Sequence, residues 1–204
     1  MINFYQNTEA GNSKWIEFDE QNRTQILLKA YHMGIYSLES RPGESDLEDA
    51  KIKRKGDLWL DIDFKPENDS PEEIHKAISL AIEDVQKLAK YLISIKAQLS
   101  DCLWFASGKK GFHVCIPGKL FGAGRSTHNL PLIYKYMAAT IAARANMMGV
   151  DLSLYCMGKG KMLRVENKQR ENGKYKVPLT SDEVLVMTPS LYEELVSQPR
   201  LLGG

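Results

Sequence analysis

The chain is poor in the features that announce many binding chemistries. Only three of its 204 residues are cysteine, Cys102, Cys115 and Cys156, and none forms a CxxC pair. Four scattered histidines add no zinc-knuckle or ribbon spacing, so no structural zinc is expected. An odd number of thiols argues against a disulfide framework and for a reducing, cytoplasmic setting. No apolar run reaches the ~18–20 residues needed to cross a bilayer. No basic, apolar, small-residue leader opens the chain. A membrane partner is therefore not expected. Neither sign of charge dominates: 27 Lys and Arg stand against 26 Asp and Glu, a net charge of +1. Composition alone does not announce a nucleic-acid partner, and any basic patch has to be argued from position. There is no GxxxxGK[ST] phosphate loop, no internal repeat and no low-complexity segment. The ending SQPRLLGG has no strong stop signal, which leaves a longer parent protein open.

What is present supports one domain over residues 1–204, because 43% hydrophobic residues suffice for a core. QILLKAYHMG (25–34) has helical spacing with Gly34 as a C-cap, and IYSLES (35–40) reads as a short strand. RPGESDLEDAKIKRKG (41–56) reads as a loop or hairpin. DLWLDIDF (57–64) alternates as a strand. Ser70 as N-cap, Pro71 at N1 and Glu73 completing a capping box predict a long helix. Its apolar face is Ile74, Ile78, Ile82, Val85, Leu88, Leu92 and Ile95. CLWFAS (102–107) and FHVCIP (112–117) predict strands around a tight loop. A second helix over 130–149 closes on Gly149, followed by a short extended or turn-like VDLSLY (150–155). KMLRVEN (161–167) and KYKVPLT (174–180) read as strands joined by a polar turn, VLVMTP (184–189) as a further strand. SLYEELVSQ (190–198) reads as a closing helix capped by Ser190. The irregular mixture predicts an α+β fold, a largely antiparallel or mixed sheet flanked by helices.

Three stretches carry candidate chemistry. Asp61 and Asp63 lie on one face of the 57–64 strand, i and i+2 apart. Two like charges in an apolar strand call for a counter-charge. Hard oxygen ligands without a Cys or His cluster favour Mg²⁺ or Mn²⁺. In SGKKGFHVCIP (107–117), Gly108 and Gly111 permit a tight turn whose backbone N–H groups can cradle phosphate. Ser107 and His113 flank that turn as donors, and Lys109 and Lys110 add charge. An ordinary hairpin with solvated lysines is the competing reading. From Lys159 to Lys176 seven Lys or Arg stand against two Glu, with Asp151 just upstream. Arg164 sits between apolar neighbours, where an idle charge is expensive and a phosphate partner would explain it.

Taken in order, LWLDIDF, SGKKGFHV and the isolated Asp151 resemble the motif series of the archaeo-eukaryotic primase (AEP) superfamily. That family includes the primase small catalytic subunit and plasmid and viral primase-polymerases. The resemblance covers about residues 57–180, with KMLRVENKQRENGKYKVPLT matching the family's arginine-bearing strand, turn and lysine strand. It implies an AEP (RRM-like) catalytic core. It implies a DNA primase or primase-polymerase, a nucleotidyltransferase making RNA or DNA primers on single-stranded DNA from NTPs or dNTPs. Asp61, Asp63 and Asp151 would bind two Mg²⁺ or Mn²⁺ ions. Ser107, Gly108, Lys109, Lys110 and His113 would hold the incoming phosphates. Arg164, Asn167 and Lys176 would face nucleotide or template. The resemblance also implies a cytoplasmic, nucleoid-associated or host-cytoplasmic setting. A replicative helicase or accessory subunit would have to come from a partner or from further chain. KIKRK (51–55) is a candidate for template contact, set against a plain solvated loop. The rivals are a gap-filling or end-joining polymerase of the same fold, a non-catalytic nucleotide- or DNA-binding module, and a metal-dependent nuclease or phosphohydrolase on another fold.

Overall fold

The computed structural model describes residues 1–7, 13–17, 28–43, 50–122, 125–158 and 160–202. In chain order the elements are β1 (Ile2–Gln6), β2 (Ser13–Glu17), β3 (His32–Gly34), β4 (Ser37–Leu38), β5 (Arg54–Lys55), β6 (Leu58–Asp63), α1 (Pro71–Ser94), β7 (Leu103–Ala106), β8 (Gly111–Ile116), α2 (Leu130–Ala145), β9 (Met162–Arg164), β10 (Val177–Leu179), α3 (Ser181–Leu185) and α4 (Pro189–Leu195). The fold is α+β, and every strand pairing among the described residues is antiparallel.

The alternating sequence of β6 makes it a strand with two unlike faces. Leu58, Leu60 and Ile62 are fully buried, while Trp59, Asp61 and Asp63 on the other face are only partly covered. β6 is the edge of a sheet ordered β10-β7-β8-β6. Its apolar face joins Val114, Phe112, Trp104 and Val177 in one core with α1. α1 presents Ile78, Ile82, Val85, Leu88 and Leu92 to that core, at the spacing of a single helical face. A second sheet, ordered β5-β4-β1-β3-β9 with β2 added to β1, lies alongside.

Capping chemistry accounts for the helix starts. The Ser70 hydroxyl accepts from the Glu73 amide at 3.3 Å and Pro71 sits in the first turn. The expected box is only half made, because the Glu73 carboxylate accepts from Glu67 N rather than Ser70 N. Ile95 falls at the C-cap, 48% exposed, outside the apolar face assigned to it. α2 ends at Ala145, four residues before Gly149: Asn146, at φ 55°, takes the left-handed cap.

Three expected elements differ. His32–Gly34 is a strand, not the end of a helix: it pairs with β1 on one side and β9 on the other. Residues 25–27 of that expected helix lie outside the described residues, as do 44–49 of the expected loop. Two ladders outweigh a few residues of helical spacing. VLVMTP does not form a strand. Thr180 and Glu183 make a complete capping box that starts α3, and Val184 and Met187 pack into the core. Thr188, not Ser190, caps α4, with Pro189 in its first turn. The strands expected in KMLRVEN and KYKVPLT do form, as β9 and β10 on either side of the polar turn, but each pairs with another strand. β9 joins β3 and β10 joins β7, so the 165–176 segment crosses from one sheet to the other, folding on itself as a hairpin-like turn through the Gln169–Tyr175 bridge, Asn167 N–H to the Lys176 carbonyl at 2.7 Å and Arg170 N–H to the Lys174 carbonyl at 2.7 Å. No helix among the described residues is long and apolar enough to cross a membrane.

The reassigned cap is testable. Thr188→Ala should cost about 1 kcal/mol in urea unfolding, and Ser190→Ala only a few tenths. Equal effects would return the cap to Ser190.

Candidate active site

The half-covered face of β6 becomes a site through its register with β8. Asp61 lies directly opposite His113, and Asp63 opposite Gly111. Phe105 of β7 faces His113 from the far side, so Asp61, His113 and Phe105 form one row across the sheet. Gly111 is needed for this closeness: a Cβ there would lie 2.2 Å from the Ile62 carbonyl oxygen and 2.8 Å from the Asp63 Cβ. Gly108, at φ +76°, turns the loop against residue 175, where a Cβ would come within 2.4 Å of a carbonyl oxygen.

Asp151 reaches this place through backbone contacts. Its N–H donates to the Asp61 carbonyl oxygen at 2.9 Å, while Asp63 N–H donates to the Gly149 carbonyl oxygen at 2.8 Å. Segment 149–151 thus lies along the free edge of β6, with Val150 opposite Ile62. The three aspartates, separated by up to 90 positions in sequence, share one edge of the sheet.

Their protonation is pulled apart. Burial, then the charges of Asp63 and Asp151, raise the Asp61 pKa to about 6. Burial also acts upward on Asp151, but hydrogen bonds from Ser153 and the Lys161 ammonium leave its pKa lowered. Asp63 is paired with Lys110, whose Nζ lies 2.7 Å from Oδ2 and also donates to the Phe64 carbonyl at 2.6 Å. His113 is buried, and burial plus the nearby cations Lys176, Arg170 and Arg164 hold its pKa well below the ordinary value. Its Nε2 lies 3.6 Å from Asp61 Oδ1; as a neutral imidazole this is a close polar contact rather than an ion pair. Its buried Nδ1 has no hydrogen-bond partner among the described residues.

Lys176 is only 3% exposed. Its Nζ donates to the Arg164 carbonyl at 2.8 Å and lies 4.3 Å and 5.2 Å from the ring centres of Phe105 and Trp59. Burial brings its pKa down to about 7, against the pull of Glu166 and Asp61. The crossing segment supplies one cation from each sheet: Arg164 ends β9 and Lys176 precedes β10. Between the sheets lies a cavity of about 190 Å³ with Trp59, Phe105, Met33 and Leu163 on its walls and Arg164, Glu166 and Lys176 at its polar side. At the other end of the β6–β8 pair, Lys65, Lys109, Lys110 and Lys174 line a basic cleft of about 570 Å³.

Not every sequence-assigned residue points to this chemistry. Asn167 donates to the Arg200 carbonyl and accepts from the Arg200 N–H, so both ends of its amide tether the following segment. Arg164 stacks on Tyr31 at 5.1 Å and donates to the Gln169 carbonyl, a packing explanation for its burial alongside any ligand. Within KIKRK, Arg54 is completely buried, donating to the Ile52 and Gly158 carbonyls, and is withdrawn from a template role; Lys51, Lys53 and Lys55 remain exposed. Lys109 is exposed at the loop tip. Ser107 is buried and its carbonyl accepts from Arg170, while the Gly108 carbonyl accepts from Asn172. Arg170 and Asn172, like Tyr192 donating to the Gly111 carbonyl at 3.1 Å, brace the loop. Sequence reading passed over all of these because their partners are distant backbone carbonyls, which leave no motif.

A divalent cation suits this donor set. Three carboxylates with hard oxygens share an edge, and a cation there would offset both the burial and the like charges that raise the Asp61 pKa. Side chains are not arranged as a closed cage: among the described residues no three Asp, Glu, His or Cys converge on one point, and lysines stand against Asp63 and Asp151. No family model matches the chain, and no curated protein is significantly similar to it.

Because the folded-state pKa of Asp61 lies above its unfolded value, the metal-free protein should lose stability as pH rises from about 4 to about 6. Asp61→Asn should stabilise the metal-free protein by roughly 1–3 kcal/mol at pH 7.5 and by nothing at pH 4. Thermal melts at both pH values check this; an equal effect at both would remove the electrostatic account.

Proposed function

We propose that the chain is a template-directed nucleotidyltransferase of the archaeo-eukaryotic primase type, extending or starting strands on single-stranded DNA. One observation carries the reading. Motifs that are dispersed in the sequence meet on one sheet edge, Asp61 opposite His113, Asp63 opposite Gly111, and Asp151 hydrogen-bonded to the Asp61 backbone. A metal-dependent nuclease or phosphohydrolase would account for the carboxylates but not for the SGKKGFH loop beside a basic strand.

In this reading Asp61, Asp63 and Asp151 hold Mg²⁺ or Mn²⁺. Ions held by these carboxylates would supply Lewis-acid stabilisation of the attacking 3′-oxygen and of the leaving pyrophosphate. The protein's own contribution is positioning and charge. The Ser107–Gly111 loop receives the phosphate tail, with Lys110 released from Asp63 to meet it. His113, neutral and fixed, offers an N–H to a phosphate oxygen without adding a charge that would have to be desolvated. Lys176 and Arg164 border the cavity between the sheets, where Trp59 and Phe105 provide apolar walls for sugar or base. A new bond forms between the 3′-oxygen and the α-phosphorus as the bond to pyrophosphate breaks.

The direct test is synthesis on single-stranded DNA with Mg²⁺ or Mn²⁺, with NTPs and dNTPs in separate tubes, with and without a primer. Product without a primer identifies a primase; product only with a primer identifies an extension or repair polymerase. Asp63→Ala should abolish product while leaving the fold intact, and retained synthesis would break the metal assignment. His113→Ala should weaken nucleotide binding several-fold more than DNA binding. An unchanged nucleotide affinity would leave His113 a core histidine. DNA or nucleotide binding without synthesis under any condition would point to a non-catalytic module.

A further inference from the structure

Asp84 is a buried charge that the reaction itself does not use. It lies in the middle of α1 and is 1% exposed. Its Oδ2 accepts from two successive backbone amides, Met148 N at 2.7 Å and Gly149 N at 2.8 Å. Its Oδ1 meets Lys87 Nζ at 3.0 Å, one turn along the helix. Burying a carboxylate is costly, and a side chain that only filled the core would be apolar here. The two convergent N–H groups and the lysine make the ionised form tolerable.

What Asp84 holds is the segment that carries the third aspartate. α2 ends at Ala145 with Asn146 as its cap, and the chain must then turn to run along β6. Gly149 passes beneath Phe64 so closely that a Cβ would lie 2.5 Å from the Phe64 ring and 3.0 Å from the Asp63 carbonyl oxygen. Its carbonyl accepts from Asp63 N–H at 2.8 Å, and two residues on Asp151 N–H donates to Asp61 at 2.9 Å. The segment is short, and these two hydrogen bonds to the sheet edge would not by themselves fix it against fraying. Asp84 clamps it from the helix side while β6 pairs with it from the sheet side.

We infer that Asp84 is a positioning residue, acting through the Met148 and Gly149 amides to fix Asp151 beside Asp61 and Asp63 and so complete the cation site. This rests on the primase reading for the purpose of the site, but the clamp itself can be tested without it. Amide hydrogen exchange over 146–152 and Mn²⁺ affinity, followed by electron paramagnetic resonance of free Mn²⁺, are measured on the full chain. Asp84→Ala should deprotect the 148–151 amides and weaken Mn²⁺ binding roughly 10–100-fold, the range for outer groups that orient metal ligands. Asp84→Asn retains an oxygen that can accept from both amides and should recover most of the protection and affinity. Lys87→Gln removes only the ion pair and should leave both nearly unchanged. Should Asp84→Ala fail to fold, Gly149→Ala displaces the same segment from the sheet side through Phe64, and it should lower Mn²⁺ affinity similarly with the core charge intact. Wild-type protection of 148–151 in Asp84→Ala, or wild-type Mn²⁺ affinity with those amides exposed, would overturn the inference. Exchange needs no metal. If the wild type binds no Mn²⁺ and makes no polymer, the primase reading falls, and the inference falls with it unless the amides still depend on Asp84.

Discussion

The antiparallel pairing of β6 with β8 is the constraint on which the rest depends. It sets Asp61 against His113 and Asp63 against Gly111, and it turns Leu58, Leu60 and Ile62 toward α1. A slip of one residue would drive both aspartates into the core and expose three aliphatic side chains. The hydrophobic requirement on one face therefore enforces the chemical arrangement on the other. Gly111 lets the two backbones approach closely at the end of the pair, and the turn at Gly108 starts the loop where that pair stops.

Electrostatics on this face is organised by burial more than by ion pairing. Burial, with the neighbouring carboxylates behind it, raises the Asp61 pKa, and lysines stand against the other two carboxylates. On the opposite side of the row, Lys176 is buried over two aromatic rings and its pKa is brought down toward neutrality. His113 between them is neutral. Each of these groups is held in a state that an incoming ion or phosphate would change, which is the pattern of perturbed titration found at functional sites. The same burial makes an ionised Asp61 costly to the fold, a cost offset by the apolar core beneath.

Much of the face that carries Asp61 and Asp63 is legible in the chain itself. The alternation of DLWLDIDF settles which residues share a face, and SGKKGFH demands a tight turn beside a strand, because both depend on neighbours a few positions away. The long helix from Ser70 follows from its cap and its apolar stripe. Reading failed where distant partners decide the outcome. The strand at His32–Gly34 exists because β1 and β9 flank it. VLVMTP is apolar enough for either element, and the Thr180 to Glu183 box upstream settles it. The strands in KMLRVEN and KYKVPLT and the turn between them are legible in the chain, but which sheet each joins is set by β3 and β7.

By itself the sequence determined the α+β class, the shared face of Asp61 and Asp63, the turn at Gly108 and the apolar stripe of α1. All of these arise from periodicity and local backbone preference within a few residues. Only the tertiary structure decided that Asp151 lies against Asp61, that Lys176 sits over Phe105 and Trp59, that Asn167 and Arg54 are occupied by backbone carbonyls, and that Asp84 grips the segment before Asp151. Those are contacts between residues far apart in the chain. They form only when the loop-closure entropy is offset by burial of the common core, and no short stretch of sequence encodes them.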